Sequence, residues 1–261
     1  NEQLGQADID GNTALMIAAH HGHIRIVKLL LPKLSTEQLG QANIGGNTAL
    51  MIAAHNVHTE IVKLLLPKLS IDQLSQVNNM DHTALMIAAD KGHIGIVKLL
   101  LSKLSIEQLG QANKYGCTAL RKAVYNGHTE IAELLLPKLS IEQLVQDNAD
   151  GNTALMFAAW QGHTEIVKLL LPKLSNEQLV QANCGGDTAL MIAADRGHTE
   201  IVKLLLPKLS PAQINFTSGI HGQTALQILL DNTGMHDMKE FKIIKLFIEY
   251  GATITNLERT N

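Results

Sequence analysis

Apolar residues recur along the chain in two blocks that a short polar break separates. The first block reads TALMIAA at 13–19, 48–54, 83–89 and 188–194, and the second reads IVKLLL at 26–31, 61–66, 96–101, 166–171 and 201–206. The first block predicts a short, alanine-rich helix that its neighbours approach closely. The second is apolar around most of its circumference, which is typical of a buried helix. A Gly-His pair usually separates them, and its glycine suits the positive φ of a helix C-terminus.

These blocks belong to an internal repeat. The tripeptide Thr-Ala-Leu occurs seven times, with a spacing of 35 residues five times and then 36, at Thr13, Thr48, Thr83, Thr118, Thr153, Thr188 and Thr224. Such a period predicts stacked units, because one unit cannot bury its own apolar helix and a stack can. We predict one all-α domain over residues 1–261, with repeats at 1–34, 35–69, 70–104, 105–139, 140–174, 175–209 and 210–261.

The segment that joins successive repeats predicts a third helical element. Pro32 ends the second helix, because proline lacks the amide donor that would continue it. Ser35 stands three residues before Gln38, which is the spacing of a capping box that starts a helix. The same box recurs at Ser70, Ser105, Ser140 and Ser175. We therefore expect a brief helical turn in each joining segment.

At this level of detail the chain resembles the ankyrin repeat. The fullest match is residues 148–171, NADGNTALMFAAWQGHTEIVKLLL, and the pattern extends over essentially the whole sequence. The resemblance implies an all-α solenoid of about seven helix-turn-helix units. It also implies a concave groove, formed by the finger turns and the ends of the first helices, through which the family usually contacts protein partners.

The sequence departs from the family pattern at defined places. The repeat is longer than the family's 33 residues, and the helical turn at the capping box replaces the usual hairpin base. Val57 stands where glycine is usual and should strain or shorten that helix end. Asp81 replaces another glycine, in the third finger. Six residues are inserted around positions 231–240 of the last repeat, and this polar insertion suits a C-terminal cap.

The fourth repeat breaks the regular pattern in its middle, where it reads TALRKAV. Val124 gains the two methyl groups that Ala132 loses, a volume-conserving exchange across two packed helices. Lys122 appears together with Glu133, so we expect an ion pair between them. Arg121 replaces the usual methionine.

The positions that the resemblance assigns to the groove vary most among the repeats. The only Trp and two of the three Tyr fall there, although drift at exposed positions would also produce variation. Because Tyr, Trp and Arg are enriched at interface hot spots, we expect Tyr115, Arg121, Tyr125 and Trp160 to anchor a protein partner inside a polar rim. The complete predicted set is Lys114, Tyr115, Arg121, Tyr125, Asn126, Asp150, Trp160, Gln161, Asp195 and Arg196.

Composition and charge narrow the classes of function. A net charge of −3 and a pI near 6.5 give no basic face for nucleic acid, and the apolar runs are too short to cross a membrane. The two cysteines exclude a disulfide scaffold and favour a reducing, cytoplasmic compartment. His-x-Glu recurs at the repeat period, which indicates a structural role. We expect neither a metal nor a cofactor.

Three functions remain open at this stage. The first is a monomeric, non-enzymatic binding module. The second is the substrate-recruiting region of a larger enzyme whose catalytic domain lies outside this chain, and Asn1 beginning in mid-repeat favours a further N-terminal part. The third is a structural spacer. Arrays this homogeneous also resemble host-directed effector proteins of intracellular bacteria, which would place the chain in a host cytosol with a host protein as its partner.

Overall fold

The computed structural model describes residues 2–217, 222–232 and 238–253. Over these ranges the chain is helical and contains no β-strand, only isolated bridges such as the one between Ala42 and Thr48. The all-α solenoid predicted from the sequence is confirmed. The chain forms two compact units, an N-terminal body, Asn1–Ser140, and a C-terminal body, Ile141–Asn261. The division falls beside the predicted boundary between repeats 105–139 and 140–174.

Each repeat contains an inner helix that starts directly after the threonine of Thr-Ala-Leu. The threonine side chain caps it by accepting the backbone N–H three residues later, as Thr13 does from Met16 at 3.3 Å. This contact satisfies an amide that the helix start leaves without a partner. The inner helices are Ala14–His20, Ala49–His55, Ala84–Asp90, Ala119–Tyr125, Ala154–Gln161, Ala189–Asp195 and Ala225–Asn232.

An outer helix follows each inner helix after the Gly-His turn. The outer helices are Ile24–Leu30, Thr59–Leu65, Ile94–Leu101, Thr129–Leu135, Thr164–Leu170, Thr199–Leu205 and Met238–Glu249. In five repeats a proline follows, and the chain tightens into a 3-10 turn such as Leu31–Lys33. In the third repeat Ser102 replaces that proline, and the α-helix continues through Leu101. The α-helix therefore continues only where proline is absent, because proline cannot continue an α-helix.

The predicted third helical element is confirmed. The short helices are Thr36–Leu39, Ile71–Leu74, Ile106–Leu109, Ile141–Val145, Asn176–Leu179 and Pro211–Ile214. Complete capping boxes start those that follow Ser35, Ser70, Ser105, Ser175 and also Ser210. The box glutamine also joins successive repeats, because Gln73 Nε2 donates to the carbonyl oxygen of Thr36 at 2.6 Å.

Aliphatic side chains form the core of each body. Ile61, Val62 and Leu65 of the second outer helix are completely buried, and so are Ala53 and Ala54 of the inner helix on which it packs. In the N-terminal body the inner helices of the first four repeats pack on one another in succession. In the C-terminal body the inner helices of the last three repeats do the same. Alanine permits this close approach, since it adds only a methyl group between adjacent helices.

Both departures from the expected glycines carry strain. Val57 has φ 62° and Asp81 has φ 57°, and they are the non-glycine residues with positive φ in the described ranges. A left-handed conformation costs an L-residue roughly 1–2 kcal/mol. The inner helix before Val57 keeps seven residues, as the regular repeats do. The consequence of Val57 is therefore strain and not a shorter helix.

The last repeat has the longest outer helix described, Met238–Glu249, with 12 residues. Residues 233–237, in the middle of the insertion expected around positions 231–240, lie outside the described residues. Its role as a C-terminal cap remains a prediction.

Candidate protein-binding surface

Asparagines hold the finger turns that connect the short and inner helices. Asn78 Oδ1 accepts the backbone N–H of Met80 and of His82, each at 3.0 Å, and thereby closes the turn. Its amide Nδ2 donates to Asn47 Oδ1 of the preceding finger at 2.9 Å. The pairs Asn43–Asn12 and Asn183–Asn152 repeat this contact at 2.9 Å. The fingers are therefore fixed both internally and to their neighbours.

The repeated histidine fixes the other part of this surface. Nε2 of His58 lies 3.0 Å from the carbonyl oxygen of His20, and His128 makes the same contact with Asp90 at 3.1 Å. A carbonyl oxygen only accepts hydrogen bonds, so Nε2 carries the proton and donates it. With the longer contacts of His93 and His198, four of these histidines thus hold the end of the preceding inner helix. This geometry gives the His-x-Glu pattern a structural role, and the described residues contain no group suited to hold a metal ion.

A groove of about 710 Å³ runs along the inner helices and fingers of the first three repeats. Its polar wall includes His20, His55, His82 and Lys91. Its apolar lining consists of Met16, Ile17, Met51, Ile52, Met80 and Ile87. None of these six residues belongs to the predicted contact set. Helical spacing could have found those of the inner helices, because residues three and four apart share a face and Ile17 stands three residues before His20.

The two predicted tyrosines lie at the surface of the fourth repeat. Tyr115 is 58% exposed in its finger, and Tyr125 is 48% exposed at the end of its inner helix. The ammonium of Lys114 lies 5.4 Å from the centre of the Tyr115 ring, within the range of a cation–π contact. These three residues therefore offer aromatic and cationic surface from one repeat.

Lys122 forms a different ion pair from the one predicted. Its Nζ lies 3.4 Å from Asp90 Oδ1, and Asn126 Nδ2 donates to the same oxygen at 3.3 Å. Asp90 is the last residue of the preceding inner helix, against which the helix of Lys122 packs. Glu133 is exposed on the outer helix of the fourth repeat. The predicted Lys122–Glu133 pair is wrong because stacking directs the inner-helix lysine toward the neighbouring repeat.

Arg121 is buried, with 3% of its surface exposed. It occupies the position of Met16, Met51 and Met86, which are 1% or 2% exposed. The prediction that Arg121 anchors a partner is therefore corrected, since its side chain lies in the interior in this structure. Val124 and Ala132 are both completely buried in the packed helices of this repeat, as the volume-conserving interpretation requires.

The remaining predicted residues lie in the C-terminal body. Trp160 is 46% exposed, and the guanidinium carbon of Arg196 lies 3.6 Å from the centre of its ring. Arg196 Nε also lies 3.5 Å from Asp195 Oδ2. Asp150 lies exposed in the fifth finger, and the half-buried Gln161 ends the inner helix that carries Trp160. The structure thus brings Trp160, Asp195 and Arg196 together.

Comparison with known proteins agrees with this architecture. The family described as "Ankyrin repeats (3 copies)" matches residues 1–76, 34–108, 71–147, 103–182 and 174–258. No curated protein matches the chain. Among solved structures, the ankyrin repeat domain of Bcl-3, described as a unique member of the IkappaB protein family, is similar with a TM-score of 0.73 and 22% identity. That alignment covers 90% of this chain and 99% of that one.

The human ASB11 ankyrin repeat domain is similar to the same degree, with a TM-score of 0.73, 20% identity and coverage of 94% of this chain and 100% of that one. Ankyrin repeats are general protein–protein interaction modules, and their fold is a non-catalytic scaffold. In the described residues no helix is long and apolar enough to cross a bilayer. The family match extends over nearly the full sequence, and the chain belongs to the ankyrin-repeat family.

Proposed function

We propose that this chain binds a protein partner through the surfaces that the fingers and inner-helix ends form in each of its two bodies. The observation that carries the proposal is the location of the large exposed aromatics of the first six repeats, since those of the last repeat, Phe216, Phe241 and Tyr250, lie elsewhere. Tyr115, Tyr125 and Trp160 are each about half exposed at these positions, on a scaffold whose core residues repeat almost unchanged. Exposed aromatic side chains at such sites are typical of the residues that dominate binding energy.

The scaffold supports binding because it is organised before the partner arrives. The asparagine contacts hold the fingers, and the histidine contacts hold the ends of the inner helices. A surface that is ordered in advance loses less conformational entropy when a partner binds. The proposed contacts are Lys114, Tyr115, Tyr125, Asn126, Asp150, Trp160, Gln161, Asp195 and Arg196.

We also propose that the chain acts as a monomer in a reducing cytosol. Cys117 and Cys184 are both free thiols, which suits such a compartment. The near-identity of the repeats supports a role as a host-directed effector, in which case the partner is a host protein.

The test is capture of partners from cell lysate with the native chain and with a Tyr115→Ala, Tyr125→Ala, Trp160→Ala variant. A matched control removes three exposed apolar residues from the starts of short helices, as Ile71→Ala, Ile106→Ala and Ile141→Ala. Circular dichroism verifies that all three proteins fold. We expect a protein that the native chain and the control retain and the aromatic variant loses. Equal capture by all three would contradict the proposal.

A further inference from the structure

The C-terminal body contains a second concave site, an acidic cavity of about 310 Å³. Its apolar part comes from Met191, Ile192 and Ile228, and Trp160 forms one wall. Met191 and Ile192 are almost completely buried, so they form a floor, whereas Trp160 remains half exposed. The cavity therefore combines a fixed apolar floor with an accessible aromatic wall.

Three carboxylates line this cavity, and they come from different elements. Asp187 lies in the sixth finger, Asp195 ends the sixth inner helix, and Asp231 lies near the end of the seventh. The side chain of Gln223, which also lines the cavity, donates a hydrogen bond to Asp231. No Lys, Arg or His is among the described residues of the lining. Arg196 compensates one of the three carboxylates through its contact with Asp195, and the cavity keeps an excess of negative charge beside an aromatic ring.

This negative charge is not a property of the repeat itself. Asn12, Asn47 and Asn152 occupy the finger position that Asp187 takes in the sixth repeat. In the groove of the first three repeats, the corresponding surface carries several histidines and Lys91, with Asp90 as its acidic residue. The same scaffold therefore presents a different charge in the acidic cavity.

The chain already shows how a guanidinium fits this environment. Arg196 stacks on the Trp160 ring at 3.6 Å and lies 3.5 Å from the Asp195 carboxylate. Arg196 is not itself among the described residues of the lining. A planar guanidinium satisfies an aromatic face and a carboxylate together, which a compact ammonium does less well.

We propose that the acidic cavity binds a basic segment of the protein partner and accepts an arginine side chain between Trp160 and the carboxylates of Asp187 and Asp195. The aliphatic part of that arginine packs on Met191 and Ile192, and its guanidinium reaches the acidic rim. This inference rests on the proposed function, because Trp160 and Asp195 belong to both sites. The inference adds that the partner's contacting segment is positively charged and contains arginine.

Trp160 is the only tryptophan of the chain, so its fluorescence reports directly on the cavity. The probe is the peptide acetyl-Gly-Leu-Arg-Arg-Leu-Gly-amide, titrated into the full chain at low and at high salt. Two comparison peptides carry lysine or glutamate in place of both arginines. We expect a saturable change in Trp160 emission with the arginine peptide, weaker binding of the lysine peptide and none of the glutamate peptide. High salt should weaken the binding, because exposed charges are screened.

The variant that tests the carboxylates is Asp187→Asn with Asp195→Asn. The first of these changes introduces the residue that other repeats carry in that position. The matched control, Glu165→Gln with Glu200→Gln, removes the same charge from two outer helices. We expect binding to weaken by roughly fivefold or more in the first variant and to change little in the control.

Equal binding of the arginine and glutamate peptides, equal losses in the two variants, or no fluorescence change would overturn the inference. A captured partner that requires Trp160 but does not compete with the arginine peptide would also overturn it, and would leave the proposed function standing. Failure of the proposed function would instead appear as a capture experiment in which the aromatic variant behaves like the native chain.

Discussion

The ammonium of Lys114 lies 3.7 Å from the Asp81 carboxylate, across the junction between the third and fourth fingers. Three other junctions, those that Ile44, Asn79 and Cys184 enter, carry a backbone hydrogen bond at this place, as between the N–H of Asn79 and the carbonyl oxygen of Gly45 at 3.1 Å. No backbone hydrogen bond joins Lys114 and Met80, although both residues are described. An exposed ion pair has replaced a regular backbone contact.

The side chain of Asp81 accounts for this difference. The corresponding residue is Gly46 in the second finger, where an added Cβ would come within 2.7 Å of the Asn79 backbone nitrogen. Real Cβ contacts do not approach so closely, so a finger with a Cβ here has to move away from the next one. Asp81 therefore carries two costs, a left-handed φ and a lost contact between fingers.

We predict that Asp81→Gly stabilises the protein. Glycine adopts positive φ without the steric cost, so the free energy of unfolding should rise by about 1 kcal/mol. Loss of the Lys114 ion pair offsets little of this gain, since exposed pairs contribute roughly 0–1 kcal/mol. Urea denaturation monitored by circular dichroism measures the change. The reverse substitution, Gly46→Asp, should destabilise, and an unchanged midpoint in both variants would refute the explanation.

Val57→Gly should also stabilise the chain, for a related reason. A β-branched residue with positive φ is a genuine outlier, and glycine would relieve about 1 kcal/mol or more. In the first repeat the equivalent residue is Gly22, where an added Cβ would lie 2.6 Å from the His58 ring. The next histidine, His93, has the longest of the described ring–carbonyl contacts, 3.4 Å to His55.

The control for this prediction is Gly22→Val, which places the strained residue in a regular repeat. We expect it to lower the urea midpoint, whereas Val57→Gly raises it. If both changes lower the midpoint, the strain at Val57 is already relieved by its surroundings and the prediction is wrong.

The sequence predicted the regular parts of the fold because local chemistry determines them. A capping box such as Ser35 with Gln38 depends on residues three apart, and the strain at Val57 follows from the glycine that it replaces. Arg121 and Lys122 were harder to place, because their surroundings depend on the neighbouring repeat. Arg121 entered a methionine position in the core, and Lys122 reached Asp90 on the preceding inner helix.

The apolar lining of the N-terminal groove shows the same limit. Ile17 is part of a block that repeats almost without change, so it looked like a core residue. In the structure it lines the groove and is partly exposed. Sequence variation among the repeats therefore points only to exposed residues around the groove. The unvarying residues that line the groove can be recognised only from the packing of the helices.

His82 should make the stability of the N-terminal body depend on pH. Burial, and secondarily the nearby charge of Lys122, lower the pKa of His82 below its usual 6.5, and the carboxylates of Asp90 and Asp81 oppose this in part. The unfolded chain therefore binds a proton more readily than the folded chain. Stability from this residue is present above pH of about 6.5 and decreases as pH falls through that value toward the lowered pKa.

The variant His82→Asn tests this directly, because asparagine occupies the same position in the first, second and fifth repeats. We expect the variant to lose less unfolding free energy than the native chain between about pH 7 and pH 5. Urea denaturation at a series of pH values gives both slopes. Identical slopes would show that His82 does not contribute to the pH dependence.

The lost contact at the third junction also predicts a local difference in hydrogen exchange. The amides of Ile44, Asn79 and Cys184 donate to the preceding finger, at 3.0, 3.1 and 2.9 Å, whereas the amide of Lys114 makes no such backbone contact. Lys114 should therefore exchange faster than these three amides, because exchange is slowed where a hydrogen bond has to open first. NMR detection of amide exchange at each residue measures this.

The decisive comparison is the same measurement on Asp81→Gly. If the side chain of Asp81 separates the fingers, glycine lets them approach, the amide of Lys114 gains its acceptor, and its exchange slows toward that of Asn79. Val57→Gly serves as the control, because it relieves strain in another repeat and should leave Lys114 unchanged. Slow exchange of Lys114 in the native chain would mean that the fingers already pair there, and that Asp81 imposes only the cost of its φ angle.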